Sequence, residues 1–252
     1  MKIIIAPAKK MIINQDDFDV KNMPIFLDQT KEILAFMQSL SYEQAKSLWQ
    51  VSDKLAQPNY TRLQKTNLNK PLTPAILSFS GIQYQYMAPD LFTSEALKYI
   101  QRNLRILSGF YGVLRPFDGV VPYRLEMQAR LKIAGHKSLY DFWGDHIYHA
   151  IHSSNEPIIN LASKEYSKVI TPYLTKEDRF IDIVFVREIE GKLKTRATFA
   201  KIARGEMVRY MAENNVNTVD RLKNFDSPNY QFLEDKSSSN KLVFLHLNDS
   251  KG

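Results

Sequence analysis

Three consecutive isoleucines, Ile3-Ile4-Ile5, open the chain and are closed at once by Ala6-Pro7. A run this short and this apolar, ended by a residue with no backbone N–H, reads as a buried strand. Pro157-Ile158-Ile159-Asn160-Leu161 reads the same way, and Ala75-Ile76-Leu77-Ser78-Phe79 looks like another strand. Between them the period changes. Apolar residues recur at helical spacing over 24–40, a second helix capped by Ser41 runs to about Gln57, and the prolines at 58, 71 and 74 break the pattern. Ser94 opens a helix through Leu107, ending at Ser108-Gly109, and residues 139–153 form another. Phe180–Ile189 and Leu193–Thr198 make a hairpin about Glu190-Gly191-Lys192. Phe199–Asn214 returns to helical period, and the tail carries Tyr230-Gln231-Phe232-Leu233 and Leu242-Val243-Phe244-Leu245 around a Ser/Asn-rich turn.

Strands and helices mix without a regular βαβ rhythm and without internal repeats. The expectation is one compact mixed α/β (α+β) domain over residues 1–252, with a central mixed sheet and surrounding helices. Its 252 residues, 44% of them hydrophobic, suffice for a packed core. The absence of cysteine excludes disulfides, thiol nucleophiles and cysteine-held metal centres. No apolar stretch has the length of a membrane span, and the opening run is too short for a signal peptide, so no membrane partner and a soluble, cytoplasmic protein are expected.

The net charge of +7 is unevenly placed. Arg102, Arg105, Arg115, Arg124, Arg130, Lys132 and Lys137 face only Asp118 and Glu126 within their segment. Lys192, Lys194, Arg196, Lys201, Arg204 and Arg209 face only Glu206. Each segment carries an excess of five, on a body that is slightly acidic. Such segments are either solvated helix faces or two walls of one groove for a polyanion.

On the helix from Phe199, the residues Phe199, Ala203, Met207, Tyr210 and Met211 share one side and Lys201, Arg204 and Arg209 the other. Gly205 falls in the basic arc, where a ligand backbone could come close. Gly109 and Gly112 form a Gly-x-x-Gly turn after a basic helix. It could offer amide N–H groups to phosphate, as helix-hairpin-helix units do, or Gly109 could simply cap the helix. Phe110 and Tyr111 either stack on bases or fill the core. Ser52-Asp53-Lys54, Tyr123-Arg124-Leu125-Glu126 and Trp143-Gly144-Asp145 set polar groups among apolar ones, as buried ion pairs or as the lining of a cleft. His146, His149 and His152 follow one another at i+3, which is not the i+4 zincin spacing, and neither a metal nor any other cofactor is expected.

Taken together, these segments resemble the YaaA family of bacterial peroxide stress proteins. The likeness is carried by Ala6-Pro7-Ala8-Lys9, Ser52-Asp53-Lys54-Leu55-Ala56, the block Leu107–Pro116, Pro122–Met127 and Phe142-Trp143-Gly144-Asp145. It continues through Ile159–Ser163 with Glu165-Tyr166, Ala203-Arg204-Gly205 and Ser237–Asn240. The resemblance implies a cytoplasmic protein that limits damage when peroxide meets free iron. It also implies binding of double-stranded DNA through a basic cleft with a helix-hairpin-helix-like element. Lys10 departs from the family, whose members often carry a hydroxyl there.

Two functions follow. In the first, duplex DNA meets Arg102, Arg105, Gly109, Gly112, Arg115, Lys192, Lys194, Arg196, Lys201, Arg204 and Arg209. In the second, an enzyme holds a nucleotide or other small anionic substrate with Lys9, Lys54 and Arg124, while Asp53, Glu126 or Asp145 acts as acid or base, Arg124 also counting among the catalytic candidates. Oligomeric state is not legible.

Overall fold

The protein is described by a computed structural model covering residues 1–14, 17–69, 72–154, 156–225 and 229–247. Its strands are β1 (Lys2–Ile5), β2 (Thr73–Pro74), β3 (Leu104–Ser108), β4 (Gly112–Leu114), β5 (Gly119–Val120), β6 (Ile158–Leu161), β7 (Phe180–Ile189), β8 (Lys192–Lys194), β9 (Tyr230–Phe232) and β10 (Lys241–His246). Its α-helices are α1 (Leu27–Ser39), α2 (Tyr42–Trp49), α3 (Asp53–Lys65), α4 (Ala75–Ser78), α5 (Ile82–Met87), α6 (Ser94–Asn103), α7 (Leu139–Trp143), α8 (His146–Ile151), α9 (Lys164–Ser167), α10 (Ala197–Glu213) and α11 (Val219–Leu222). Among the described residues no helix is long and apolar enough to cross a membrane.

One mixed sheet organises the molecule, in the order β4-β3-β1-β6-β7-β10-β9, with β8 paired to β7. The strands β3, β1, β6, β7 and β10 run parallel, while β4, β8 and β9 are antiparallel to their neighbours. The isoleucines of β1 lie at its centre between β3 and β6, fully buried, as their uniform apolarity requires. From β1 the chain leads across to β3 on one side, and from β6 it leads to β7 on the other. The carboxyl ends of β1 and β6 therefore flank the point where the winding reverses, the place in an open α/β sheet where a crevice forms.

Several sequence expectations need correction. Residues 75–79 are not a strand. Pro74 starts the helical turn α4, all four of whose residues are buried, and Phe79 bridges to Met11. A segment buried all round has no periodicity to tell helix from strand. The helix from Ser94 stops at Asn103, and Leu104–Ser108 instead pairs with β1. The second helix breaks at Gln50, in the left-handed region at φ 50°, and resumes as α3, which continues through Pro58 to Lys65. Pro71 lies outside the described residues. Residues 139–153 form two helices because Gly144 adopts φ 48°, ψ −133°, a conformation suited to glycine. The hairpin of β7 and β8 forms, but its second strand is only Lys192–Lys194 and not Leu193–Thr198, since α10 already starts at Ala197; Glu190 and Gly191 are both at positive φ, the signature of a two-residue I′ turn.

Candidate functional site

A cleft of about 430 Å³ opens at the carboxyl ends of β1 and β6. Its walls come from five places. Ala6–Lys10 leave β1; Ser163, Glu165 and Tyr166 follow β6; Tyr123–Glu126 form a loop after β5; Ser80–Tyr84 enter α5; and Lys201 and Arg204 project from α10. The last two walls are fixed to each other by Gly205. A Cβ at that position would lie 2.2 Å from the Gln83 carbonyl oxygen and 3.0 Å from the Met87 amide, so only glycine lets α10 lie this close to α5. Gly205 is thus a packing residue between two helices, and the expectation that it would face a ligand is wrong.

Five cations, Lys9, Lys10, Arg124, Lys201 and Arg204, share the cleft with two carboxylates, Glu126 and Glu165. Glu126 is doubly engaged, 3.3 Å from Lys9 and 3.2 Å from Arg124 through the same oxygen, Oε1. Burial, seconded by the charge of Glu126, pushes the Glu165 carboxyl above its ordinary value, although the Gln128 and Met127 amides donate to it. Among the described residues Arg204 has no carboxylate in ion-pair reach, and burial pulls its guanidinium down. Three buried nitrogens among the lining residues have no acceptor: Arg124 Nε, Arg204 Nε and Gln83 Nε2. The remaining wall is aromatic and apolar. Tyr84 donates to the Ala6 carbonyl at 3.0 Å, and Tyr123 stacks on Phe110 at 4.9 Å while its hydroxyl meets Ser108 Oγ at 2.7 Å. A cavity of this size and lining can take a small organic anion.

Glu165 gives a pH test. A carboxyl that holds its proton more tightly when folded contributes fully below the ordinary glutamate range, about pH 4.3, and loses that contribution as pH rises through its raised folded value. Glu165→Gln is therefore expected to melt above the parent at pH 7 to 8, the gap closing toward pH 4. Melting temperatures measured across that range decide it; a gap that widens on acidification would show Glu165 stabilised as a carboxylate.

Of the residues singled out in the sequence, Lys9, Arg124, Glu126, Lys201 and Arg204 meet in the cleft. Asp53 does not: it accepts hydrogen bonds of 2.7 Å from Tyr42 and Lys46 at the exposed start of α3. Lys54, beside it, is exposed and outside the cleft lining. Asp145 precedes α8, 3.7 Å from His146 and 3.3 Å from His149, also outside the lining. The anion pocket and its acid–base set thus lose Lys54, Asp53 and Asp145. His152 pairs with Asp178 at 2.9 Å, and no metal-holding cluster of three or more His, Asp or Glu occurs among the described residues.

The two basic segments do not converge as wholes. Arg102 lies beside Lys2, whose ammonium reaches its carbonyl at 3.3 Å, so it sits at the amino end of the sheet, away from the cleft. Arg115 lies at that same end, because β4 runs back along β3, and it is spent on buried Asp118 and the Met23 carbonyl. Half-buried Arg105 donates to the carbonyls of Gln101 and Leu104. Only Arg124 of the first segment lines the cleft. Lys192, Lys194 and Arg196 are exposed beside the carboxyl end of β7, Lys192 opposite Ile189 and Lys194 opposite Arg187, and Arg209 pairs with Glu213 at 2.9 Å. Gly109 and Gly112 are buried in a β-hairpin, not between helices. The amides after Gly109, those of Phe110 and Tyr111, donate to Ser108 Oγ, and the Gly109 carbonyl accepts from Trp143. That turn offers no amides to a phosphate. Phe110 and Tyr111 are core residues, each 1% exposed.

Gln83 and Glu165 were not among the site residues expected from sequence. Glu165 could have been found from Glu165-Tyr166 following the buried strand β6; Gln83 carries no sequence signal.

A family model described as peroxide stress protein YaaA matches residues 1–236 of the chain. Among curated relatives, a UPF0246 protein of Lactiplantibacillus plantarum is 62% identical over 98% of this chain and 99% of its own length. UPF0246 proteins of Limosilactobacillus reuteri and Agathobacter rectalis are 54% and 49% identical, each over 97% of this chain and 98% of their own. The chain belongs to the peroxide stress protein YaaA family.

Proposed function

We propose that within the peroxide stress response this protein binds double-stranded DNA across the carboxyl-end face of its sheet, and thereby helps limit iron-dependent oxidative damage. One observation supports this most. From the tip of the β7–β8 hairpin into α10 the chain carries exposed Lys192, Lys194, Arg196 and Lys201 on the same side of the sheet as the cleft rim, where Lys9 and Lys10 are also exposed. Of these six, only Lys9 and Lys194 have a carboxylate partner among the described residues. Cations held at a surface without counter-charge are what phosphate neutralisation uses, and the resulting affinity is independent of base sequence.

This reading narrows the expected contacts to the second basic segment. With about four phosphates neutralised, log affinity for a duplex should fall with log salt at a slope of roughly −3.6. Replacing Lys192, Lys194, Arg196 and Lys201 together by alanine should flatten that slope, whereas Arg102→Ala, at the opposite end of the sheet, should leave it unchanged. Duplex titrations at several salt concentrations test both. Affinity indifferent to salt, or equal losses from the two variants, would overturn the reading.

A further inference from the structure

We propose that the cleft is also a binding site for a small phosphate-bearing molecule of mononucleotide size, its anionic group compensating Arg204 beside Gln83 at the α5–α10 contact. Its anchor, Arg204 with Gln83, is distinct from Lys192, Lys194 and Arg196 to which DNA binding is assigned above, while Lys9, Lys10 and Lys201 stand both on the rim and in the lining. Arg204 is half-buried in the wall of a recess with its Nε enclosed and without an acceptor, yet no carboxylate of the described chain lies within ion-pair distance. Removing a charge from water without pairing it is strongly unfavourable, so the counter-charge is to be sought outside the chain. Gln83 is 7% exposed and its Nε2 is unpartnered as well, on the helix whose carbonyl at Gln83 touches Gly205, the residue after Arg204. Two groups that can only donate through these nitrogens thus share one wall.

The rest of the recess suits the body of such a ligand. The side chains of Tyr84, Tyr123, Tyr166, Pro7 and Ile82 line it, an apolar and aromatic surface for a planar group. Glu126 and Glu165, in the same lining, can accept from ring N–H groups or exocyclic amines. Cations outnumber carboxylates five to two, so a neutral ligand would leave the excess uncompensated. A rigid duplex lies across the rim of a recess, whereas about 430 Å³ admits a mononucleotide.

The test is calorimetric titration of the full chain with adenosine 5′-monophosphate, adenosine and inorganic phosphate, joined to thermal melts. The nucleotide should bind saturably and at least tenfold more tightly than adenosine, with inorganic phosphate competing. Arg204→Met should cost tenfold or more in nucleotide affinity while melting no lower than the parent, since it removes an uncompensated buried charge; Arg204→Lys should recover part of the affinity. The nucleotide should raise the melting temperature of the parent and not that of Arg204→Met. The alanine variant at Lys192, Lys194 and Arg196 should weaken duplex binding and leave nucleotide binding intact, which separates failure of this site from failure of the DNA reading. No saturable binding into the millimolar range would overturn the proposal. So would adenosine binding as tightly as its monophosphate, a large loss of melting temperature in Arg204→Met, or stoichiometric displacement of the nucleotide by a short duplex.

Discussion

Gly205→Ala is expected to lower stability by about 2–3 kcal/mol, even though alanine in place of glycine within a helix is ordinarily worth about 1 kcal/mol in the other direction. The sign is decided by what the new methyl group meets. Its position is 2.2 Å from the Gln83 carbonyl oxygen, 3.1 Å from the Gln83 carbonyl carbon and 3.0 Å from the Met87 amide nitrogen, all of them backbone atoms of α5. A flexible side chain could swing away from such a contact. A helix must move as a body, and α5 is also tied to the turn after β1 by Tyr84, whose hydroxyl donates to the Ala6 carbonyl. Relief therefore comes from separating α5 and α10, which loosens the packing of buried Met207, Val208 and Met211 on α10 and of Tyr84 and Met87 on α5. The same separation displaces Gln83 from Arg204, so binding in the cleft should weaken together with stability. Urea unfolding of the two proteins measures the difference. A midpoint that stayed put or rose would show that the helices are not held at this distance by Gly205.

The sequence is most legible where a physical constraint acts within a few residues. Ile3–Ile5 and Ile158–Leu161 could be read as buried strands because their apolar runs are short and bounded by proline. The β7–β8 turn could be read because Glu190-Gly191 supplies the backbone a tight hairpin needs. Residues 75–79 and 104–108 could not, since full burial erases the difference between periods of 2 and 3.6, and the apolar spacing of α6 runs unbroken into β3. The cleft was half legible. Lys9 is legible through Ala6-Pro7-Ala8-Lys9, Arg124 and Glu126 through the Tyr-Arg-Leu-Glu block, and Lys201 and Arg204 through the basic arc of α10. Their grouping with Asp53 and Asp145 failed because nothing local distinguishes a carboxylate that caps an exposed helix or pairs with a histidine from one that lines a recess. The first basic segment failed for a topological reason. Between Arg102 and Arg115 the chain climbs β3 and returns along β4, which leaves both at the amino end of the sheet, and only afterwards does it reach the carboxyl-end cleft with Arg124, so cations close in sequence finish at opposite ends. Charge along a chain becomes charge in space only after strand directions are known.

Trp143→Ala should cost about 3–5 kcal/mol, the range for removing a fully buried large aromatic side chain. Trp143 is 1% exposed and packs between Phe26 and Phe142, with ring centroids 5.7 and 5.2 Å away. Its indole N–H donates to the Gly109 carbonyl at 3.0 Å, and its ring lies where a Cβ on Gly112, at φ +70°, would come within 2.9 Å. The ring is thus the wedge that holds the β3–β4 turn. Gly109, on that turn, is in turn so close to the next segment that a Cβ there would lie 2.9 Å from the Leu125 carbonyl oxygen. Leu125 stands between Arg124 and Glu126, so emptying the Trp143 pocket should slacken the cleft wall as well as the core. Trp143→Phe separates the two contributions. It keeps most of the apolar contact and strands the Gly109 carbonyl, a loss of about 1–3 kcal/mol. The chain has two tryptophans, so in either variant Trp49 becomes the sole indole reporter of unfolding. Trp49 is buried at the end of α2, where it lines a small cavity together with Phe110 of the β3–β4 turn, and fluorescence and circular dichroism should still unfold together if the fold is one cooperative unit. A loss below 1 kcal/mol in Trp143→Ala would mean that the turn is held by its own hairpin bonds and Ser108 alone. Cleft binding would then be expected to survive the substitution; if Trp143 is the wedge, it should fall with stability.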